Sequence, residues 1–394
     1  MDIKMQKDIR KRKTKGYFDY TLLFIVVLLI CFGFVMIYST SSYSASLEYG
    51  DNLYYLKQQI ISTIIGFAAM AVCTLIPYEI YKKLYWPAII VAFVSVFLIL
   101  TPLGHRSHGA SRWIYIGGHS IQVAEICKMA VIIFVAVLFA KMDLSIRRSW
   151  KGFWFPMVPV GLLCLQILII TNNLSSALII GLMAVTMLFV GERRNIWPRI
   201  TYIGIFAVCA LVVILVVTGK LPKGLSFRLG RVMAWLNPSA YADDEGYQIL
   251  QSLYGIGSGG FLGKGLGKSM QKLGFLSEAD NDMIYSIICE ELGVAGGLAV
   301  MLMYVVLLWR IFEVTRYNRD FLGNMIVTGV FSHIAIQVVL NICVATNTIP
   351  NTGVSLPFIS YGGSSVIFLL GEIGLVMNVA RHAEFAGEEE ENNG

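Results

Sequence analysis

Three carboxylates at two-residue intervals, Glu278, Asp280 and Asp282, stand just before an apolar run that begins at Ile284, and two more, Glu290 and Glu291, fall inside that run. Carboxylates this close push one another's pKa upward, and burial pushes further. A carboxylate poised nearer neutrality is a better general base. The plainer alternative is charge that flanks a helix N-terminus, where the dipole favours it. Ionisable groups within an apolar run are costly and default to paired or functional roles, which keeps the chemical reading open.

Glu125 and Lys128 form a second candidate pair, spaced i, i+3 on one helix face. An isolated pair in lipid does not recover its desolvation cost, so that face should line a polar cavity. Arg112 and Trp113, just upstream, offer a cation and a ring face to a sugar or a pyrophosphate, although Trp at a membrane interface is common without function. Glu372 is a further carboxylate in an apolar run, with no evident partner. The Gly-rich stretch 255–269 invites a phosphate-loop reading and fails it, because the pattern needs Gly where Leu262 stands. A tight loop whose glycines let the backbone approach a large anionic ligand, with Lys264 and Lys268 beside it, fits better. Thr352 to Ser365 is a loop rich in Pro, Gly and Ser between two apolar runs. Such a loop needs internal partners for its N–H and C=O groups at membrane depth. His105, His108 and His119 share one loop without a second ligand set and read as exposed polar residues.

The elements that position these groups follow from composition. The 394 residues are 56% hydrophobic and 14% charged, with a net charge of +6. That excludes a soluble domain, of which about 25% is charged, and indicates an all-α polytopic membrane protein of about ten spans. Apolar runs fall near 20–38, 60–76, 84–100, 123–140, 153–170, 174–190, 200–217, 283–308, 325–344 and 364–380. The first run is too long for a signal peptide and reads as an uncleaved span. All seven Cys lie within apolar runs, with no CxxC pair, so neither disulfides nor zinc are expected. Lys and Arg concentrate in alternate loops and before the first span, which places both termini in the cytoplasm by the positive-inside rule. This distribution explains the positive charge without nucleic acid. The chain then divides into a basic cytoplasmic segment 1–19, a membrane domain 20–380 with a large extracytoplasmic loop 218–282 between spans seven and eight, and a cytoplasmic tail 381–394. Within that loop Leu225, Leu229, Val232 and Leu236 recur at helical spacing with Lys223, Arg228 and Arg231 between them. They predict an interfacial helix that anchors to the membrane or holds a lipid phosphate.

Three blocks carry a resemblance along nearly the whole chain. Gly109 to Ile114 and Ile121 to Lys128 form the first. Asn237-Pro238, Gly246-Tyr247-Gln248, Gly263 to Gly267 and Glu290 to Gly293 form the second, and Pro350 to Ser365 the third. The chain resembles the SEDS proteins (shape, elongation, division and sporulation), of the FtsW, RodA and SpoVE type. The resemblance implies polymerisation of lipid II into peptidoglycan glycan strands on the outer face of the bacterial cytoplasmic membrane, with release of undecaprenyl pyrophosphate. It promotes Asp282 over Asp280 as the catalytic base, because Asn281-Asp282-Met283-Ile284-Tyr285 is similar to the family's Asp motif at the Asp. It implies substrate binding by Arg112, Trp113, Glu125, Lys128, Arg228, Arg231, Gln248, Lys264, Lys268, Ser360, Tyr361 and Ser364. No organic cofactor is implied, and a divalent cation (Mg or Mn) could assist the leaving group without a dedicated ligand cluster. The implied partners are lipid II, membrane lipids, a class B penicillin-binding protein and other division or elongation proteins. A lipid II flippase and a non-catalytic scaffold are the rival readings. Where the family carries an acid before the sixth span this chain has Asn172-Asn173, which leaves Glu125 as the expected partner of Lys128.

Overall fold

The computed structural model describes residues 18–76, 78–107, 110–116, 119–217, 226–242 and 245–382. The basic N-terminal segment, most of the C-terminal tail, Leu225 and His108 lie outside the described residues, as do the side chains of His105, His119, Arg228 and Leu229. Among the described residues the chain forms thirteen α-helices and one small sheet.

The helices are α1 (Tyr20–Tyr49), α2 (Tyr54–Leu75), α3 (Tyr78–Leu98), α4 (Val123–Lys141), the short α5 (Leu144–Arg148), α6 (Trp150–Ile170), α7 (Leu174–Gly191) and α8 (Trp197–Val217). After these come α9 (Ser226–Leu236), α10 (Glu245–Gly259), α11 (Ile284–Tyr317), α12 (Phe321–Ala345) and α13 (Gly363–His382). Nine are long and apolar enough to cross a membrane, and the expected seventh span falls on α8, apolar along Trp197–Leu211. The expected interfacial helix is α9. One expectation needs correction: the segment 101–122 is not plain loop. It holds strands β1 (Gly104–Ser107), β2 (Ala110–Ile116) and β3 (His119–Gln122), joined antiparallel in that order. β3 runs directly into α4, so the sheet caps one end of the bundle. The linkers 50–53, 171–173 and 346–362 meet at the same end, called the loop-rich end below.

α4 forms the centre of the bundle. Its apolar window is 83% buried, against 28% for α2, α3 and α6. Close approach of helices inside a bilayer rests on small residues, because lipid offers no hydrophobic drive to bring them together and packing contacts must hold them. α2 and α13 show this: a Cβ at Gly374 would lie 2.5 Å from the Met70 carbonyl oxygen, and one at Gly66 2.6 Å from Leu370 Cδ1. Gly374→Ala is therefore expected to destabilise the protein by about 1–3 kcal/mol. Gly161→Ala, where nothing lies within 4 Å, should be neutral. Thermal melting of both variants checks this, and equal loss in the two would remove the packing argument.

α11 is broken near its start. Gly293 has φ 73°, ψ −176°, a conformation closed to residues with a side chain. The Gly-rich loop plugs this break. Lys264 N–H donates to Glu290 O (3.0 Å) and Gly265 N–H to Glu291 O (2.9 Å), while Val294 N–H and Ala295 N–H donate to Gly260 O (2.9 Å) and Phe261 O (3.1 Å). A Cβ at Gly263 or Gly293 would lie 2.2 Å from a carbonyl oxygen of the other segment. The glycines that the sequence suggested would admit a ligand thus admit the chain's own broken helix.

Candidate active site

The loop 352–362 folds back over the carboxylate cluster and fixes it through the backbone. Ser360 Oγ–H donates to Asn281 O (2.7 Å) and accepts Leu356 N–H (2.7 Å). Tyr361 N–H donates to Asp280 O (2.9 Å). Asn341 of α12 donates from Nδ2 to Asp282 O (2.8 Å) and to Val354 O (2.7 Å). Asp282 Oδ2 lies over the bare Cα of Gly353, where a Cβ would stand 3.1 Å away and where φ is +63°. Gly353 is therefore held to glycine by conformation and by space. Phe358, buried and at φ 65°, takes a bend that costs about 1–3 kcal/mol in a residue with a side chain. Gly33 of α1 makes room for that bend, since its Cβ would lie 2.6 Å from Phe358 O.

The electrostatics single out Asp282. Burial, then Glu278 and Asp280, push its carboxyl up to about 7, against the opposing pull of Arg112 and Arg231. Asp280 is raised to about 6, mainly by burial. Arg112 sits at a bulge: His105 pairs with Trp113 and Arg106 with Ser111, so Arg112 has no residue opposite it. Bulges re-aim side chains in this way. Its guanidinium is held below the ordinary value by burial and by Arg231, and its Nε is buried without a protein partner. Arg112, Arg231 and Asp282 are thus close enough to feel one another's charge, though they come from β2, α9 and the turn just before α11.

The other expected residues fall into three groups. Gln248 of α10 accepts from Asn351 Nδ2 (2.9 Å), at the entry to the loop around Asp282, and Ser364 Oγ accepts from Gln122 N–H (3.2 Å), which ties β3 to the start of α13. The Tyr361 ring packs edge-on to Tyr55 (5.0 Å), within a group that includes Tyr49 and Tyr54. Its hydroxyl is pushed up to about 12, chiefly by burial and by Asp280. Trp113 is half-buried in β2. Lys264 is committed elsewhere, at 2.7 Å from Glu290. Glu290 also accepts from Ser269 Oγ and from the backbone N–H groups of Met270 and Gln271. Glu291 accepts from Lys272 Nζ (2.8 Å) and Ser39 Oγ (2.7 Å). Both carboxylates are fully buried and anchor the Gly-rich loop. Lys268 is exposed on that loop.

Glu125 and Lys128 meet at 2.7 Å, both buried. Their network extends further than the sequence suggested. Gln337 Oε1 accepts from Lys128 Nζ (3.3 Å) and lies 2.8 Å from His333 Nε2, while Gln337 Nε2 donates to Ser355 O (3.0 Å). The bond to Ser355 fixes the amide orientation, so His333 Nε2 carries a hydrogen. His333 Nδ1 and Glu372 Oε2, 2.7 Å apart, then share one further proton. Glu372 has a partner after all, and the acid missing at Asn172-Asn173 is not replaced locally. Asn173 instead caps α7 by accepting from Ser176 N–H (3.0 Å). Sequence reading passed over His333, Gln337 and Asn341, although their spacing of four within an apolar run was a readable signal. Among the described residues no three His, Cys, Asp or Glu side chains converge as metal ligands.

Comparison with known proteins matches the chain to a family. The FtsW/RodA/SpoVE family profile, described as cell cycle protein, matches residues 20–385. The probable peptidoglycan glycosyltransferase FtsW of Trichlorobacter lovleyi is 35% identical over 97% of this chain and 98% of its own. The stage V sporulation protein E of Bacillus subtilis is 33% identical over 93% and 98%. Among solved structures, a chain from work on the structural coordination of polymerization and crosslinking by a peptidoglycan synthase complex superposes with TM-score 0.75 at 24% identity, covering 93% of this chain and 98% of that one. The rod shape determining protein RodA of Thermus thermophilus gives TM-score 0.66 at 23% identity, covering 93% and 98%. These two structures share the fold, while the family match and the 33–35% identical relatives establish that the chain belongs to the FtsW/RodA/SpoVE family of multi-pass membrane proteins.

Proposed function

We propose that this chain is a peptidoglycan glycosyltransferase that polymerises lipid II at the loop-rich end of the bundle, with that end outside the bacterial cytoplasmic membrane and both termini inside. The observation that carries the reading is Asp282, a carboxyl raised to about 7 beside Arg112 and Arg231. An incoming sugar hydroxyl gives its proton to Asp282. Its oxygen forms the new bond to C1 of the donor sugar, while the C1–oxygen bond to the lipid pyrophosphate breaks. Negative charge accumulates on the departing pyrophosphate, and Arg112 and Arg231 are placed to oppose it. Attack opposite the leaving group inverts C1. The partner that crosslinks the product is a class B penicillin-binding protein, as expected for a chain folded like one in a synthase complex.

Labelled lipid II incubated with the purified protein and such a partner tests this directly. Glycan chains of increasing length are expected; movement of lipid II across vesicles without chain growth would favour a flippase. Orientation has a separate check. Leu262 is 81% exposed on the Gly-rich loop. In a background without the native Cys, Leu262→Cys should react in intact cells with a thiol reagent that cannot cross membranes. Reaction only after permeabilisation would invert the topology.

A further inference from the structure

α12 carries His333, Gln337 and Asn341 at i, i+4 and i+8, all three buried. This spacing places them on one face, one turn apart. Each reaches a different part of the structure: His333 to Glu372, Gln337 to Ser355, and Asn341 to Asp282 and Val354. Asn341 is the unusual member. Its amide nitrogen has two hydrogens, and two carbonyl oxygens at 2.8 and 2.7 Å take both. Its Oδ1 is buried with no protein partner. The residue is thus retained at some cost, since an orphaned buried acceptor is unfavourable. What it does with its hydrogens is clasp the peptide of residue 282 to that of residue 354. Gly353, next to that second peptide, is the surface over which Asp282 Oδ2 lies. The clasp therefore sets the height and direction of the carboxylate relative to Arg112 on β2 and Arg231 on α9.

We propose that Asn341 is a positioning residue for the glycosyl transfer, acting on the reaction by fixing the backbone of Asp282 against the loop at Val354. This rests on the reading of Asp282 as the base. Asn341 touches no sugar and moves no proton. A base must stand within hydrogen-bond reach of the hydroxyl it deprotonates, and a displacement of about 1 Å costs on the order of 10²-fold in rate.

The test uses the full-length protein with its transpeptidase partner and labelled lipid II. Asn341→Leu keeps the volume and removes both hydrogen bonds. Turnover per folded molecule should fall by roughly 10²-fold, with KM for lipid II little changed, because the substrate contacts are intact. The acid limb of the pH–rate profile should also move. Asp282 is faced by Arg112, Arg231, Glu278 and Asp280, and a shifted carboxylate meets these charges at new distances. A purely structural Asn341 would lower the melting temperature and the folded yield while leaving kcat and the pH limb of the folded fraction at wild-type values; that result overturns the proposal. If Asn341→Leu does not fold, Asn341→Asp replaces it. The carboxyl group offers at most one hydrogen to two carbonyls, so turnover should again fall, and wild-type kcat in that variant is equally fatal. Asp282→Asn, assayed alongside, separates the two ideas. Activity in Asp282→Asn removes the base assignment itself, whereas an inactive Asp282→Asn beside a fully active Asn341 variant removes only the clasp.

Discussion

Asp282→Asn is expected to reduce glycan polymerisation by about 10²–10⁴-fold, the contribution of a positioned general base. Asn keeps the shape of the side chain and its contact over Gly353 but cannot accept the proton. In the wild-type protein the same carboxyl predicts an acid limb, with activity falling as pH drops through about 7 and Asp282 becomes protonated. Asp280→Asn should be milder, since Asp280 acts on Asp282 only through its charge. Stability should move the other way. The folded-state value of about 7 lies above the ordinary 3.8, so the fold binds a proton that the unfolded chain has lost. The ionised carboxylate therefore destabilises the fold in full above pH 7, and this cost disappears as pH falls towards 4. Asp282→Asn should melt higher than wild type at pH 8, by a margin that shrinks on acidification. A variant that polymerises at more than about a tenth of the wild-type rate would contradict the base assignment. One that melts lower at pH 8 would make Asp282 structural.

Lys128→Met should cost about 3–5 kcal/mol, because it strands the buried carboxylate of Glu125. The damage should also reach the site. Gln337 Oε1 would lose one of its donors, and Gln337 is the residue that holds Ser355 O. Adding Glu125→Gln to Lys128→Met removes the stranded charge and should recover part of the lost melting temperature. Activity is expected to recover less, because the neutral pair no longer holds Gln337 from the Lys128 side. Melting and polymerisation of the single and double variants, read together, decide the matter. A single variant as stable as wild type would mean the pair is not isolated from water.

The spans were legible because each is long and apolar; α4 begins at Val123 and α12 covers the expected 325–344. The end of α1 was not. Helix continues to Tyr49, past the polar run from Ser39 to Ser44. Ser39 gives its hydroxyl to Glu291 and accepts from Lys272, while Thr40, Ser41 and Ser44 donate to carbonyls of the same helix, and local hydropathy shows none of these partners. The sheet was missed for a related reason: strands of four and seven residues show too little alternation to stand out. At the site, Glu125 and Lys128 were readable as neighbours on one helix turn. His333, Gln337 and Glu372 complete their network from over 200 positions away, and nothing local signals such pairing. The choice of Asp282 over Asp280 came from resemblance; its physical basis, a carboxylate that faces two arginines, needed the fold.

The clasp around Asp282 also has a meaning for biosynthesis. A chain is made and inserted from its N-terminus, so Asp282 leaves the ribosome before every group that holds it in place: Asn341, Gly353, Ser360 and Tyr361. Until then the carboxylate loop lacks the hydrogen bonds that α12 and the loop 352–362 supply. On the proposed reading of Asp282, a nascent product that stops after α11 would carry the carboxylate and the two arginines without the clasp that positions them. If Asp282 is the base as proposed, competence for glycosyl transfer is expected only once α12 and the loop 352–362 have followed it out of the ribosome.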